Sequence, residues 1–131
     1  MTHLLDTNVF IAAMRGQEAV LQRLRATNPA DIGISSVSLY ELYSGVERCA
    51  RPLIEKQKVE KLIQPIHLLP FDADAAQFTA KVRRQLEVAG SVIGPYDLML
   101  AGQALSLGVT FVTHNTGEFS RVQGLLLEDW Q

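Results

Sequence analysis

The chain of 131 residues holds a single cysteine, Cys49. One thiol makes no intrachain disulfide and no cysteine-based zinc site, and it suits a reducing compartment such as the cytoplasm. No apolar run nears the roughly 18 residues of a membrane span. The N-terminus lacks the basic segment, apolar stretch and small-residue cleavage site of an export signal. A basic excess is missing too: twelve Lys and Arg against fourteen Asp and Glu leave a net charge of −2. That balance excludes a protein that coats nucleic acid by bulk charge. Positive charge offered to a phosphate must be local or come from a bound metal. There is no Walker A loop and no GxGxxG, and without a GxSxG elbow acyl transfer has no support.

What is present is apolar sequence in short, punctuated pieces. Apolar residues make up 47% of the chain. Its length fits one domain, residues 1–131, with a core of its own. Residues 3–5, 31–35 ("DIGIS"), 66–69 ("IHLL"), 109–113 ("VTFVT") and the final "GLLLED" read as short strands. Between them lie helical patterns. Asp6-Thr7-Asn8 reads as a turn, with Asn8 capping a helix from Val9. Val20, Leu21 and Leu24 form a second pattern, ended by Asn28-Pro29. Ser36 to Arg48 and a segment opened by Arg51-Pro52 follow, the latter with Val59, Leu62 and Ile63 on one face. Asp72 to Glu87 carries a Phe78, Val82, Leu86 stripe. Gly94-Pro95 opens a helix that stops at Gly108, the usual places for Pro and Gly.

Strands alternating with helices predict an α/β fold: a three-layer α/β/α sandwich around a mainly parallel sheet. In such a sheet, strand C-termini and helix N-termini share one edge, and ligands bind there. Asp6 ends the first strand. Glu41 and Asp97 are expected in the first turns of their helices. Asn115 and Glu118 follow the 109–113 strand. All fall on that edge.

Each has a structural reading as well. Ser38 and Glu41 have the spacing of a capping box. Asp97 sits where the helix macrodipole favours an anion. Asp6 suits a turn, and Glu118 a solvated surface. His67 and His114 read as surface or core histidines. Tyr40, Tyr43 and Tyr96 read as the edge of the core rather than as base-stacking platforms. Together the acids say more than they do singly. Carboxylates crowded at one edge repel each other and resist desolvation unless a cation joins them. All-oxygen donors suit Mg²⁺ or Mn²⁺, ions that position phosphates and activate water.

Four blocks, in order, resemble the VapC-type toxin ribonucleases of the PIN-domain family: "LLDTNVFIAAMRG" (4–16), "SSVSLYELYSGVE" (35–47), "GPYDLMLAGQAL" (94–105) and "FVTHNTGEFSRVQGLLLEDW" (111–130). The resemblance implies an RNA-cutting α/β/α domain with Mg²⁺ or Mn²⁺ held by acids. It implies a homodimer, and inhibition by a VapB-like antitoxin that lays a peptide across the site. Asp6, Glu41 and Asp97 match the family's acidic triad. Asn8 and Thr113 match residues that order the site. A fourth acid that many PIN domains carry is replaced here by Asn115, and Glu118 stands in reach of that role. The expected chemistry is metal-assisted hydrolysis that leaves 5′-phosphate and 3′-hydroxyl ends. Arg15, Arg48, Arg51, Arg83 and Arg84 are candidates for RNA phosphates.

Two rival classes share the fold. A phospho-acceptor receiver resembles a pattern with an acidic pair at the end of its first strand and a late lysine. Here Leu5 precedes Asp6, and no Lys follows Lys81. A haloacid-dehalogenase-like phosphatase requires an Asp where Asn8 stands. The other rival is a non-catalytic binding domain, against which the intact triad speaks.

Overall fold

The computed structural model describes residues 1–131. Five parallel strands, β1 (His3–Leu5), β2 (Ile32–Ser35), β3 (His67–Leu69), β4 (Thr110–Val112) and β5 (Leu127–Glu128), form one sheet in the order β3-β2-β1-β4-β5. From β1 the chain moves outward to β2 and β3. It then crosses back to place β4 on the other side of β1. The order therefore reverses between β1 and β4, which opens a crevice at the C-terminal ends of those two strands.

Alternation along the strands builds two cores. Leu4 and Phe111 face one layer, with Val82, Leu86, Leu100 and Phe119. Leu5 and Val112 face the other, with Phe10, Val20, Leu42 and Trp130. This is the expected three-layer α/β/α arrangement. The helices are α1 (Thr7–Met14), α2 (Glu18–Ala26), α3 (Ser36–Arg48), α4 (Pro52–Ile63), α5 (Ala73–Ala89), α6 (Pro95–Leu107) and α7 (Thr116–Phe119). None is long and apolar enough to cross a membrane.

Three local expectations need correction. The first helix starts at Thr7, with Asp6 as its N-cap residue, so Asn8 lies inside the helix, exposed. The Asp6 side chain makes no capping hydrogen bond and accepts from Thr113 instead, and the earlier start buries the Thr7 side chain. The cap of α3 is Ser35, whose Oγ accepts from the Val37 amide at 3.0 Å. Ser38 and Glu41 are therefore interior helix positions rather than a capping box. The α5 stripe holds at Val82 and Leu86 but not at Phe78. Ala75, Val82 and Leu86 are buried, while Phe78 is exposed and lies under the Lys81 ammonium. The cause is a close crossing with α6. A Cβ on Gly102 would stand 2.6 Å from the backbone N and Cα of Thr79. Thr79, not Phe78, therefore occupies the α6-facing position between Ala75 and Val82, and Phe78 falls one helical step off that face.

The C-terminal segment is pinned at the sheet edge. Trp130 is buried, and its indole N–H donates to Glu128 Oε1 at 3.1 Å. Arg23 meets the same oxygen at 2.9 Å, and His3 Nε2 lies 3.2 Å from Glu128 Oε2. The Trp130 bond first, and then His3 and Arg23, hold the Glu128 carboxyl below its ordinary range.

Candidate active site

The crevice between β1 and β4 is closed by one hydrogen bond. Thr113, fully buried just past β4, donates its hydroxyl to Asp6 Oδ2 at 2.9 Å. Thr113 Oγ1 in turn accepts from the Asn115 backbone amide at 3.0 Å. That second bond fixes the direction of the hydroxyl proton and aims it at the carboxylate. Asp6 is only 4% exposed. Burial raises its pKa, the Thr113 hydroxyl and the Thr7 amide oppose this, and the charges of Glu41 and Glu118 push it further up.

Glu41 arrives from the second turn of α3, later than expected. It reaches the site because Thr7 Oγ1 donates to its Oε1 at 2.7 Å, with Ser38 Oγ 2.8 Å from the same hydroxyl. Sequence reasoning missed this pair: Thr7 read as a turn residue and Ser38 as a cap. The only available signal was a hydroxyl directly following the strand-end acid. Asp97 is half-buried in the first turn of α6, as expected. Its pKa is raised to about 7, first by burial, then by the charges of Asp6, Glu118 and Glu41 and by a hydrogen bond to Glu118. Glu118, on α7, accepts from the Asn115 side-chain amide.

Asp6, Glu41, Asp97 and Glu118 thus gather at one edge, where the charges of the others bear on Asp6 and Asp97. No three of them have the spacing of a ready-made metal site, and Glu41 and Glu118 accept hydrogen bonds from Thr7 and Asn115. The donor set fits a hard divalent cation in its chemistry. It is all oxygen, carries surplus negative charge and is partly desolvated.

Two grooves flank the acids. One, of about 440 Å³, is lined by Asp6, Asn8, Arg15, His114 and Asn115 among others. The next, of about 460 Å³, is lined by Arg15, Glu41 and Lys58 among others. Arg15 belongs to both and has no carboxylate partner. Arg83 and Arg84 instead pair with Glu87 on α5. His114 is exposed, with Nδ1 3.1 Å from Asp129 Oδ2. Two tyrosines expected at the core edge are in solvent. Tyr40 is 55% exposed and Tyr96 42%. The Tyr96 hydroxyl donates to that of Tyr40 at 3.3 Å, and this bond, with Glu41's charge among the lesser causes, raises the Tyr96 pKa.

The PIN domain family matches residues 3–125. The chain belongs to the PIN-domain family, within its VapC type. It is 39% identical over 127 residues to the tRNA(fMet)-specific endonuclease VapC of Shigella flexneri, covering 97% of this chain and 96% of that protein. It is 31% identical to Ribonuclease VapC2 of Rickettsia felis, over 99% of this chain and 98% of the relative. The VapC-type fold agrees with solved structures. DNA-bound VapBC from Salmonella typhimurium matches with a TM-score of 0.95 at 36% identity, covering 100% of this chain and 99% of the other. VapBC2 from Rickettsia felis bound to a promoter DNA fragment matches at 0.93 and 30%, covering all of both chains.

Proposed function

We propose that this PIN domain is the toxin of a toxin–antitoxin pair, an endoribonuclease dependent on Mg²⁺ or Mn²⁺. One observation carries the reading: four carboxylates gather at the sheet's switch point, where burial and the neighbouring charges raise the pKa of Asp6 and bring that of Asp97 to about 7. Such a cluster is costly unless a cation neutralises it. Asp6 and Asp97 would hold the ion. Glu41 would hold it or orient its water, and Glu118 would assist from the position next to Asn115. When bound, the ion activates water and stabilises charge on the phosphodiester. The protein's own groups do the rest. Thr113 favours the ionised form of Asp6 against burial and holds it in place. Thr7 and Ser38 position Glu41. Arg15, between the two grooves, would hold a phosphate of the RNA. Asn8 would order the groove beside Asp6.

Several matched relatives bear the name ribonuclease or endonuclease, and one named for tRNA(fMet) makes tRNA the first substrate to test. Solved neighbours are VapBC complexes, which supports a VapB-type antitoxin as partner. A homodimer, and a larger assembly with that antitoxin, complete the reading. In the test, purified protein is incubated with total tRNA plus Mn²⁺, with and without chelator. Cleavage that needs the ion, leaves 5′-phosphate ends and vanishes in Asp97→Asn is expected. Metal-independent cleavage, or full activity of a folded Asp97→Asn protein, would overturn it.

A further inference from the structure

We propose that Tyr40 and Tyr96 form a platform on which an unpaired base next to the cleaved phosphodiester stacks. This rests on the endoribonuclease reading and extends it to how the RNA is held.

The pair's placement is the first argument. Tyr40 immediately precedes Glu41 on α3, and Tyr96 immediately precedes Asp97 on α6. The chain has nine Phe, Trp and Tyr residues. Phe10, Phe111, Phe119 and Trp130 fill the cores. The two tyrosines instead meet each other in solvent beside the acids.

Geometry is the second argument. The ring centroids are 5.6 Å apart at an interplanar angle of 65°, an edge-to-face pair. Such a pair covers one face of one ring only, so ring faces stay open for a third aromatic. The bond between the two hydroxyls holds the rings together without help from the core. Tyrosine has few side-chain torsions, so this rigid surface is ordered before a base arrives.

The third argument is electrostatic. The chain is net negative, and its site is a cluster of acids that repels phosphate. Arg15 is the only arginine or lysine among the groove residues that also include Asp6. An RNA held here needs a term that does not depend on phosphate charge. Base stacking on aromatics supplies one, with little regard to base identity. The substrate this fits has its scissile bond in a loop or other unpaired stretch, where a base is free to leave its own stack.

The test uses full-length protein and RNA hairpins whose loop contains the site that the wild type cleaves. Each loop nucleotide in turn is made abasic. Tyr40→Ala and Tyr96→Ala are expected to raise KM by roughly tenfold, with a smaller change in kcat, and Tyr40→Phe and Tyr96→Phe, which keep the ring but lose the bond between hydroxyls, to recover only part of that loss. One abasic nucleotide beside the cleaved bond should cost the wild type a similar factor, and should cost the alanine variants nothing more. Melting curves check that the variants are folded. Three results would overturn the proposal: alanine variants that cleave like the wild type, abasic and alanine effects that multiply independently, or alanine variants that sediment as a smaller species. The last would assign the pair to an interface between copies. A wild type that with Mn²⁺ neither binds nor cuts the hairpins would fail the ribonuclease reading itself. Cleavage with unaffected alanine variants would fail only the platform.

Discussion

Asp97 has its proton affinity set first by burial and then by the charges around it. Its folded pKa is about 7, above the ordinary 3.8. Across that window the folded protein keeps a proton that the unfolded chain has released. Metal-free stability therefore falls as pH rises from about 4 to about 7, and levels off above. A divalent ion must displace the same proton, so Mn²⁺ affinity is expected to climb with pH and bend near 7. Glu118→Gln removes a repelling charge and should move the bend to lower pH. If Glu118 also holds the ion, the variant needs more Mn²⁺ above the bend as well. Calorimetric Mn²⁺ titrations at several pH values read both effects. An unmoved bend would mean that Glu118 does not act on Asp97. At Asp6 the lever is Thr113. Thr113→Val deletes a hydrogen bond to a carboxylate, worth about 1.5–3 kcal/mol. The variant should lose stability and bind Mn²⁺ more weakly at neutral pH, and Thr113→Ser should restore most of both. Equal Mn²⁺ affinity in the valine variant would show that the hydroxyl does not support the site.

Between helices, the decisive contact is α5 against α6. Alanine is a better helix former than glycine by about 1 kcal/mol, so Gly102→Ala would stabilise an isolated helix. In the fold its methyl meets the Thr79 hydroxyl and, behind it, the Thr79 backbone N and Cα, which no side-chain movement can relieve. Overpacking of that kind costs typically 1–3 kcal/mol. A lower melting temperature is expected, together with weaker Mn²⁺ binding, since α6 carries Asp97. The small hydroxyl of Thr79, bonded to the Ala75 carbonyl at 2.7 Å, lies in the same contact. Thr79→Ala in the Gly102→Ala background should not restore stability, because the clash is with backbone. Rescue by that second change would show that the two helices can part.

For the whole molecule, metal and fold are linked through the charge cluster. Asp6, Glu41, Asp97 and Glu118 destabilise the ion-free protein by repulsion. An ion that binds only the folded state reverses this, by about 2.7 kcal/mol at a hundredfold excess over its dissociation constant. Asp6→Asn is expected to act in opposite directions in the two conditions. With chelator it should melt at or above the wild type. With saturating Mn²⁺ the wild type should gain melting temperature and the variant little. Equal gains in both proteins would remove Asp6 from the ion's ligands.

Much of this was legible from local pattern alone. The strands at His3–Leu5 and Thr110–Val112, the helix Ser36–Arg48 and the helix stopped by Gly108 follow from apolar periodicity, Pro and Gly. These signals are local, because backbone conformation is decided within a turn or two of chain. The sharing of one sheet edge by Asp6, Asp97 and Glu118 followed from parallel topology, which dictates where strand ends and helix starts lie. Tertiary structure alone decided the rest. Strand order placed Thr113 against Asp6, a contact between residues 107 positions apart. The packing of α1 on α3 put Thr7 against Glu41, six positions into its helix. The α5–α6 crossing put Thr79 against Gly102 and left Phe78 off the buried face. Tyr40 and Tyr96 were left in solvent although a tyrosine at helical spacing reads as core. Which face of a helix is buried, and which acid feels which, depend on distances set by distant chain, and no short window of sequence contains them.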